Sequence, residues 1–184
     1  MIYGERIRLR SIERGDLPHY VEWLNDPEVI EGLMMNLPFS LEDETRWFEG
    51  LAGRPAEERP LAIESRDGDG WRLIGSCAFD NINWKNRAGE VGIAIGYKAS
   101  WNQGYGTETM QLMLKYGFET LNLNRIFLRV YEYNRRAIRS YEKNGFKLEG
   151  QLRQARYQAG RYYDEFIMSV LRSEWETANS KEQE

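Results

Sequence analysis

The sequence has few of the residues on which metal sites, disulfides and histidine-based nucleophiles depend. Its 184 residues include one cysteine, Cys77, and one histidine, His19. One cysteine cannot form an internal disulfide, and the two residues together do not supply a zinc ligand set. A Ser-His-Asp triad would need His19 as its base, and a Cys-His pair would need both single residues to meet. His19 lies beside a predicted helix start, so we expect a surface histidine and no metal.

Long apolar runs and an excess of positive charge are also missing. No apolar stretch is long enough to cross a bilayer, and the first ten residues alternate where a signal peptide would be continuously apolar. The formal net charge of −4 argues against a nucleic-acid-binding protein but is compatible with a cationic substrate. We therefore expect a cytoplasmic protein that binds neither nucleic acid nor membrane.

Apolar periodicity predicts the order strand, two helices, three strands, helix, strand, helix, two strands. Each of the first three elements has a predicted buried face. These faces are Ile7 and Leu9 on the first strand, Leu17, Val21 and Leu24 on the first helix, and Trp47, Phe48 and Leu51 on the second helix. The mixture indicates an α/β (α+β) fold with helices on both faces of a sheet. We predict one domain over residues 1–172, followed by a polar C-terminal tail over residues 173–184 whose end is frayed.

The stretch "WNQGYGTE" places Gly104 and Gly106 directly before an amphipathic helix. Glycines allow close approach of the backbone, and a helix start presents unpaired N–H groups with partial positive charge. Together these features favour a phosphate-binding loop, although a GxG before a helix is also common as a plain turn. A Walker loop would need a lysine near Thr107, and a dinucleotide fingerprint would need a third glycine where Thr109 stands. Neither motif fits.

Residues 88–150, from "AGEVGIAIGY" to "KNGFKLEG", resemble the GNAT acetyltransferase superfamily, in particular its ribosomal-protein N-terminal and spermidine acetyltransferases. The resemblance implies a mostly antiparallel twisted sheet of about seven strands with about four helices. It also implies acetyl-CoA as cosubstrate, with pyrophosphate held by the loop and pantetheine by a strand. Trp101 departs from the Gln or Arg that the family places first in the loop, as is common in this branch. The implied cofactor contacts are Ile93, Ala94, Ile95, Gly96, Gln103, Gly104, Tyr105, Gly106, Thr107, Asn134, Ala137 and Tyr141.

The resemblance also implies two catalytic side chains. Tyr141 would be the general acid that protonates the departing thiolate, and Glu90 would draw a proton from the amine, often through water. Each has a plainer explanation, since Tyr141 alone could be a core aromatic and Glu90 could form a salt bridge with Arg87 or Lys85. Asn134 alone could equally be a helix cap.

The amine acceptor stays open between a protein N-terminus, a polyamine and a small amine. The turn "NDPEVIEGLMMNLPF" offers carboxylates beside apolar residues, either as a cation pocket or as a solvated acidic turn. The predicted pocket comprises Asp26, Glu28, Glu31, Met34, Met35 and Phe39, with Glu90 also a candidate substrate contact. A coenzyme A-binding regulatory domain is the alternative function, and a structural protein would leave the glycine loop unexplained. Members of the branch are often dimers, and the aromatic-rich "RYYDEFIMSVL" is a candidate surface for a homodimer.

Overall fold

The computed structural model describes residues 1–33 and 38–181. Eight strands form one mostly antiparallel sheet in the order β1-β2-β3-β4-β5-β6-β8-β7. The strands are Ile2–Tyr3 (β1), Ile7–Ser11 (β2), Leu61–Asp67 (β3), Gly70–Asn83 (β4), Ala88–Ile95 (β5), Arg125–Tyr131 (β6), Lys147–Gln158 (β7) and Arg161–Leu171 (β8). The helices are Leu17–Leu24 (α1), Pro27–Ile30 (α2), Leu41–Gly50 (α3), Tyr105–Lys115 (α4), Arg135–Lys143 (α5) and Arg172–Lys181 (α6). The predicted mixed fold is confirmed.

The described chain divides into two compact units, residues 1–79 with 92–112, and residues 80–91 with 113–184. Strands β4 and β5 and helix α4 each contribute residues to both units. The single-domain boundary at residue 172 stays a prediction.

In the first unit, β2 pairs with β3 and β3 with β4, all antiparallel. Ile7 and Leu9 are completely buried, as the alternation of β2 predicts. A hydrophobic cluster packs α1 and α2 against the sheet, through Leu17, Tyr20 and Trp23 of α1, Val29 of α2 and Ala62 of β3. Trp101, at the entrance of the glycine loop, is partly buried and packs against this cluster.

In the second unit, β6 is the central strand. Its first three residues pair in parallel with β5, in a ladder whose last pair is Glu90 with Phe127. Its other edge pairs with β8 over all seven residues, to Tyr131. Strand β7 then pairs with β8 and carries exposed Leu148 and Tyr157. The predicted homodimer through these late strands stays a prediction.

Two predicted helix faces were partly wrong. In α1 the buried residues are Leu17, Tyr20 and Trp23, whereas Val21 is half-buried. In α3 Trp47 is 38% exposed, because the helix presents residues 44, 48 and 51 inward, at i, i+4 and i+7. Glu44 is therefore buried, and that burial raises the pKa of its carboxyl.

The predicted polar tail forms a helix, α6, as far as Lys181, and its predicted frayed end lies outside the described residues. The Trp175 ring lies 5.4 Å from that of Phe118, and Arg172 Nε donates to the Leu123 carbonyl at 3.0 Å. The polar composition of this segment did not indicate a packed helix, because only one tryptophan and one arginine make these contacts with Phe118 and Leu123.

Candidate active site

The glycine loop forms a concave row of backbone amides at the start of α4. Asn102 and Gly104 have φ of +60° and +86°, and Gln103 between them lies outside the positive-φ region. Alternation of this kind turns successive N–H groups towards a common point and creates an anion-binding nest. The first helical bond runs from Glu108 N–H to the Gly104 carbonyl at 3.0 Å, so the amides of Tyr105 and Gly106 lie at the open helix end.

The two glycines of the loop differ: the backbone conformation favours glycine at position 104, whereas the protein has room for a side chain at position 106. At Gly104 the positive φ disfavours any other residue. At Gly106 a Cβ would find only Ile93 Cδ1 within 4.0 Å, which is ordinary contact. No described neighbour requires glycine at position 106, so its missing side chain suits a ligand that approaches the helix start. The nest, the open helix end and this space fit the diphosphate of coenzyme A.

Two side chains that the sequence analysis passed over hold this loop. Arg6 Nη1 donates to the Gln103 carbonyl at 2.9 Å, and Arg6 Nε donates to Glu108 Oε2 at 2.9 Å. Glu108 Oε1 accepts the Arg6 backbone N–H at 2.7 Å, which fixes the start of β2 to the first turn of α4. The sequence alone does not reveal these two roles. Arg6 alternates with the buried residues Ile7 and Leu9, which is typical of a solvent-facing side chain, and an acidic residue such as Glu108 is common in the first turn of any helix.

Trp101 replaces the expected polar residue with a structural contact. Its indole Nε1–H donates to the Ile95 carbonyl at 2.7 Å and so joins the loop to the end of β5. The Gly96 N–H donates to the Ile74 carbonyl at 2.9 Å, and a Cβ at Gly96 would lie 2.1 Å from the Trp23 ring. Glycine at position 96 is therefore explained by packing.

These contacts narrow the predicted pantetheine strand. The Ile95 carbonyl and the Gly96 N–H already have partners within the protein. Ile93 and Ala94 lie beyond the last described pair of β5 with β6. The Ala94 carbonyl lies on the β4 side, 2.1 Å from the position of a Cβ at Gly75, so the main-chain groups of Ile93 are the stronger candidates for cofactor contacts.

The acidic turn of the first unit already binds an ammonium group. Lys98 Nζ lies 2.6 Å from Asp26 Oδ2 and 2.6 Å from Glu28 Oε2. These contacts hold the pKa of the Asp26 carboxyl below its usual range and raise the pKa of Lys98 to about 12. Glu31 follows α2 and is exposed, whereas Met34 and Met35 lie outside the described residues.

In the second unit, Asn134 and Tyr141 occupy the two ends of one helical face. The Asn134 side chain accepts the Ala137 N–H at 3.2 Å, so it does cap α5. Tyr141 is 8% exposed, with its ring 5.9 Å from that of Phe146. Burial raises the pKa of Tyr141 to about 12. Within the described part of the chain its hydroxyl makes no hydrogen bond, which leaves the proton available.

Glu90 has a different ion-pair partner from those that the sequence suggested. Its Oε1 lies 3.6 Å from Arg129 Nε, and Arg129 Nη1 lies 3.8 Å from Glu165 Oε2. Neither Arg87 nor Lys85 pairs with Glu90 among the described residues. One guanidinium therefore balances two carboxylates, of which Glu165 is buried.

Residues 1–33 and 38–181 contain no group of three His, Cys, Asp or Glu side chains arranged to hold a metal ion. None of their helices combines the length and apolarity that crossing a membrane requires.

Comparison with known proteins agrees with the loop and the fold. The model of the family described as "Acetyltransferase (GNAT) domain" matches residues 6–147. The uncharacterized N-acetyltransferase p20 of Bacillus licheniformis is 32% identical over 95% of this chain and 97% of its own. Spermidine N(1)-acetyltransferase of Vibrio cholerae is 30% identical over 94% of this chain and 96% of its own.

A solved structure matches as well. Spermidine N-acetyltransferase from Vibrio cholerae, in complex with CoA and spermine, superimposes with a TM-score of 0.83 at 28% identity. The match covers 94% of this chain and 99% of that one. The predicted acyltransferase class and its acetyl-CoA cosubstrate are confirmed, and the chain belongs to the GNAT acetyltransferase family.

Proposed function

We propose that the protein transfers the acetyl group of acetyl-CoA to a primary amine of a polyamine, by direct attack in a ternary complex. One observation supports acetyl-CoA as the cosubstrate: Asn102 and Gly104 have positive φ on either side of Gln103, at the open start of α4. The spermidine acetyltransferases among the relatives, one solved with CoA and spermine, support the acceptor part. A protein N-terminal amine and a small amine are the other acceptors to be tested.

The amine must lose a proton before it can attack. An alkylamine has a pKa of about 10.4, so only about one molecule in 2,500 is neutral near pH 7. In our proposal Glu90 accepts this proton, directly or through water. Its ion pair with Arg129 holds the carboxylate in one orientation on β5.

The bound thioester supplies an acyl group whose carbonyl oxygen gains negative charge as the amine attacks. We propose that main-chain groups of β5 at Ile93 stabilise that charge and pair with pantetheine. Loss of a comparable oxyanion donor in other enzymes costs roughly 3 kcal/mol.

In this proposal Tyr141 donates its hydroxyl proton to the departing sulfur, and the tyrosinate recovers a proton through solvent from the attacking nitrogen, which loses its second proton as it becomes the amide. The pKa of Tyr141, about 12, exceeds that of a thiol, near 8.5, by about 3.5, or roughly 5 kcal/mol. Protonation of the free thiolate by Tyr141 is uphill by that amount and is more unfavourable before the carbon–sulfur bond breaks, so the proton moves late in the reaction. A hydroxyl that makes no hydrogen bond among the described residues suits this late donation.

The acceptor site is proposed at the acidic turn. Asp26 and Glu28 bind the Lys98 ammonium group, and this arrangement supports a site for an ammonium group of a polyamine. A polyamine has several ammonium groups and can displace one lysine, with Glu31 as a further carboxylate. An incoming amine must compete with Lys98 for the carboxylates of Asp26 and Glu28. A monoamine offers only one ammonium group for this competition, so the turn favours polycations.

Thiol release from acetyl-CoA tests the function. Purified protein is assayed with spermidine, with a peptide that has a free N-terminus, and with an amino sugar, and acetylated products are identified by mass spectrometry. Acetylated spermidine at the highest kcat/KM supports the proposal. Exclusive acetylation of the peptide would replace the acceptor, and calorimetric binding of acetyl-CoA without turnover on any amine would favour a regulatory coenzyme A-binding domain.

A further inference from the structure

We infer that Arg6 is a positioning residue for acetyl-CoA, which fixes the direction of the Gly104 amide by holding the opposite end of the same peptide group. The inference rests on the proposed cosubstrate role of the glycine loop. Arg6 touches no reacting atom in this assignment, and its contacts all lie within the first unit.

The peptide group between Gln103 and Gly104 links Arg6 to the anion-binding side of the loop. The Gln103 carbonyl and the Gly104 N–H belong to one planar group and point in opposite directions, and no peptide in the described chain is cis. Arg6 Nη1 donates to that carbonyl at 2.9 Å. The bond therefore aims the Gly104 N–H into the concave side of the loop, and a charged donor on the carbonyl also polarises the N–H.

Arg6 itself is held from several directions. Nε donates to Glu108 Oε2 at 2.9 Å, and the guanidinium lies 4.9 Å from the centre of the Tyr105 ring. Nη2 lies 3.2 Å from the position of a Cβ at Gly104, so the guanidinium closes one side of the turn. Glu108 is buried and accepts the Arg6 main-chain N–H as well, which ties both ends of the contact to rigid elements.

The shape of the Arg6 guanidinium group matters more for cofactor binding than its charge does. Its side chain is 47% exposed and its charge is balanced by Glu108, so its attraction for a phosphate is weak. The planar fork instead meets the Glu108 carboxylate through Nε and the Gln103 carbonyl through Nη1, and the single Nζ of a lysine does not reproduce these two donors in fixed positions. Arg6→Lys thus retains the charge and loses the double contact.

The test compares Arg6→Ala and Arg6→Lys with wild type, using calorimetric Kd for coenzyme A and steady-state kinetics with acetyl-CoA and S-acetylpantetheine. The truncated substrate has no diphosphate. For Arg6→Ala we expect Kd and KM for the full cofactor to rise about tenfold at unchanged kcat, which is the size of one hydrogen bond to a charged group. Arg6→Lys should show most of the same rise in Kd and KM. In both variants kcat/KM for S-acetylpantetheine should equal that of the wild type.

Arg14→Ala is the matched control. Arg14 pairs with Glu49 at 2.9 Å and lies over the Phe48 ring, so it has a surface ion pair and an aromatic contact but no contact with the loop. An unchanged Kd for Arg6→Ala, a wild-type Kd for Arg6→Lys, or equal losses with both acyl donors would overturn the inference. Wild-type protein that binds no coenzyme A would overturn the proposed function and this inference together. Wild-type protein that binds without turnover would overturn the function alone, since the Kd comparison would still test Arg6.

Discussion

Gly106→Ala should raise stability and weaken cofactor binding at the same time. An added methyl group would meet only Ile93 Cδ1, at 4.0 Å, so the protein has room for it. Alanine in place of a helical glycine is worth up to about 1 kcal/mol. For a chain of this length that gain corresponds to an increase in Tm of roughly 2–4 °C.

The same methyl group occupies the space that we assign to the diphosphate. Loss of one charge-assisted hydrogen bond to phosphate costs about 1.5–3 kcal/mol, so KM for acetyl-CoA should rise roughly ten- to a hundredfold. Steady-state kinetics with acetyl-CoA and a thermal melt of the free protein measure the two effects separately.

Gly50→Ala is the control for this experiment. Gly50 ends α3, has no heavy atom within 4 Å of a built Cβ, and lies away from the loop in sequence. It should show the gain in Tm without a change in KM. An unchanged KM in Gly106→Ala would refute the placement of the diphosphate at the start of α4, whereas a lower Tm would refute the packing argument.

Three further predictions concern the second catalytic group and the acceptor. Tyr141→Phe should lower kcat by about one to three decades and leave Kd for acetyl-CoA unchanged, and single-turnover kinetics with normal acetyl transfer would remove Tyr141 from the mechanism. Because burial raises the pKa of Tyr141 to about 12 and the protonated form is the active one, this proton is lost only as pH rises through about 12. Any fall in kcat between pH 8 and 10 should then persist in the residual activity of Tyr141→Phe, and a fall present only in wild type would contradict the assignment. Lys98→Met should lower the spermidine KM about two- to fivefold by freeing the carboxylates of Asp26 and Glu28, and Glu31→Gln should raise it; unaltered KM values in both variants would place the acceptor elsewhere.

Much of the fold was predictable because local patterns and tertiary packing agree. The alternation of β2 buries Ile7 and Leu9 as the sequence indicates. Two other features have local causes: a capping box joins Ser40 and Asp43 at the start of α3, and Gly68 has a positive φ between β3 and β4. The apolar stripe of α4 is likewise confirmed, with Met110 completely buried.

The details that failed depend on contacts between residues distant in sequence. Periodicity gives the width of an apolar stripe but not its rotation, so Trp47 was placed inward where the helix buries Glu44. Arg6 lies 102 residues before Glu108, and no local pattern relates them. Arg129 was likewise missed as the partner of Glu90, because the pairing of β5 with β6 brings two separate segments together.

The overlap between position 96 and the Trp23 ring has a consequence for sequence variation. A Cβ at Gly96 would lie 2.1 Å from the indole, and Trp23 is itself part of the cluster against which Trp101 packs. Neither residue can therefore change freely while the other stays fixed, so their substitutions should be epistatic. Gly96→Ala should be strongly destabilising beside tryptophan and tolerated once Trp23 is replaced by leucine, and among related sequences a side chain at position 96 should occur together with a smaller residue at position 23.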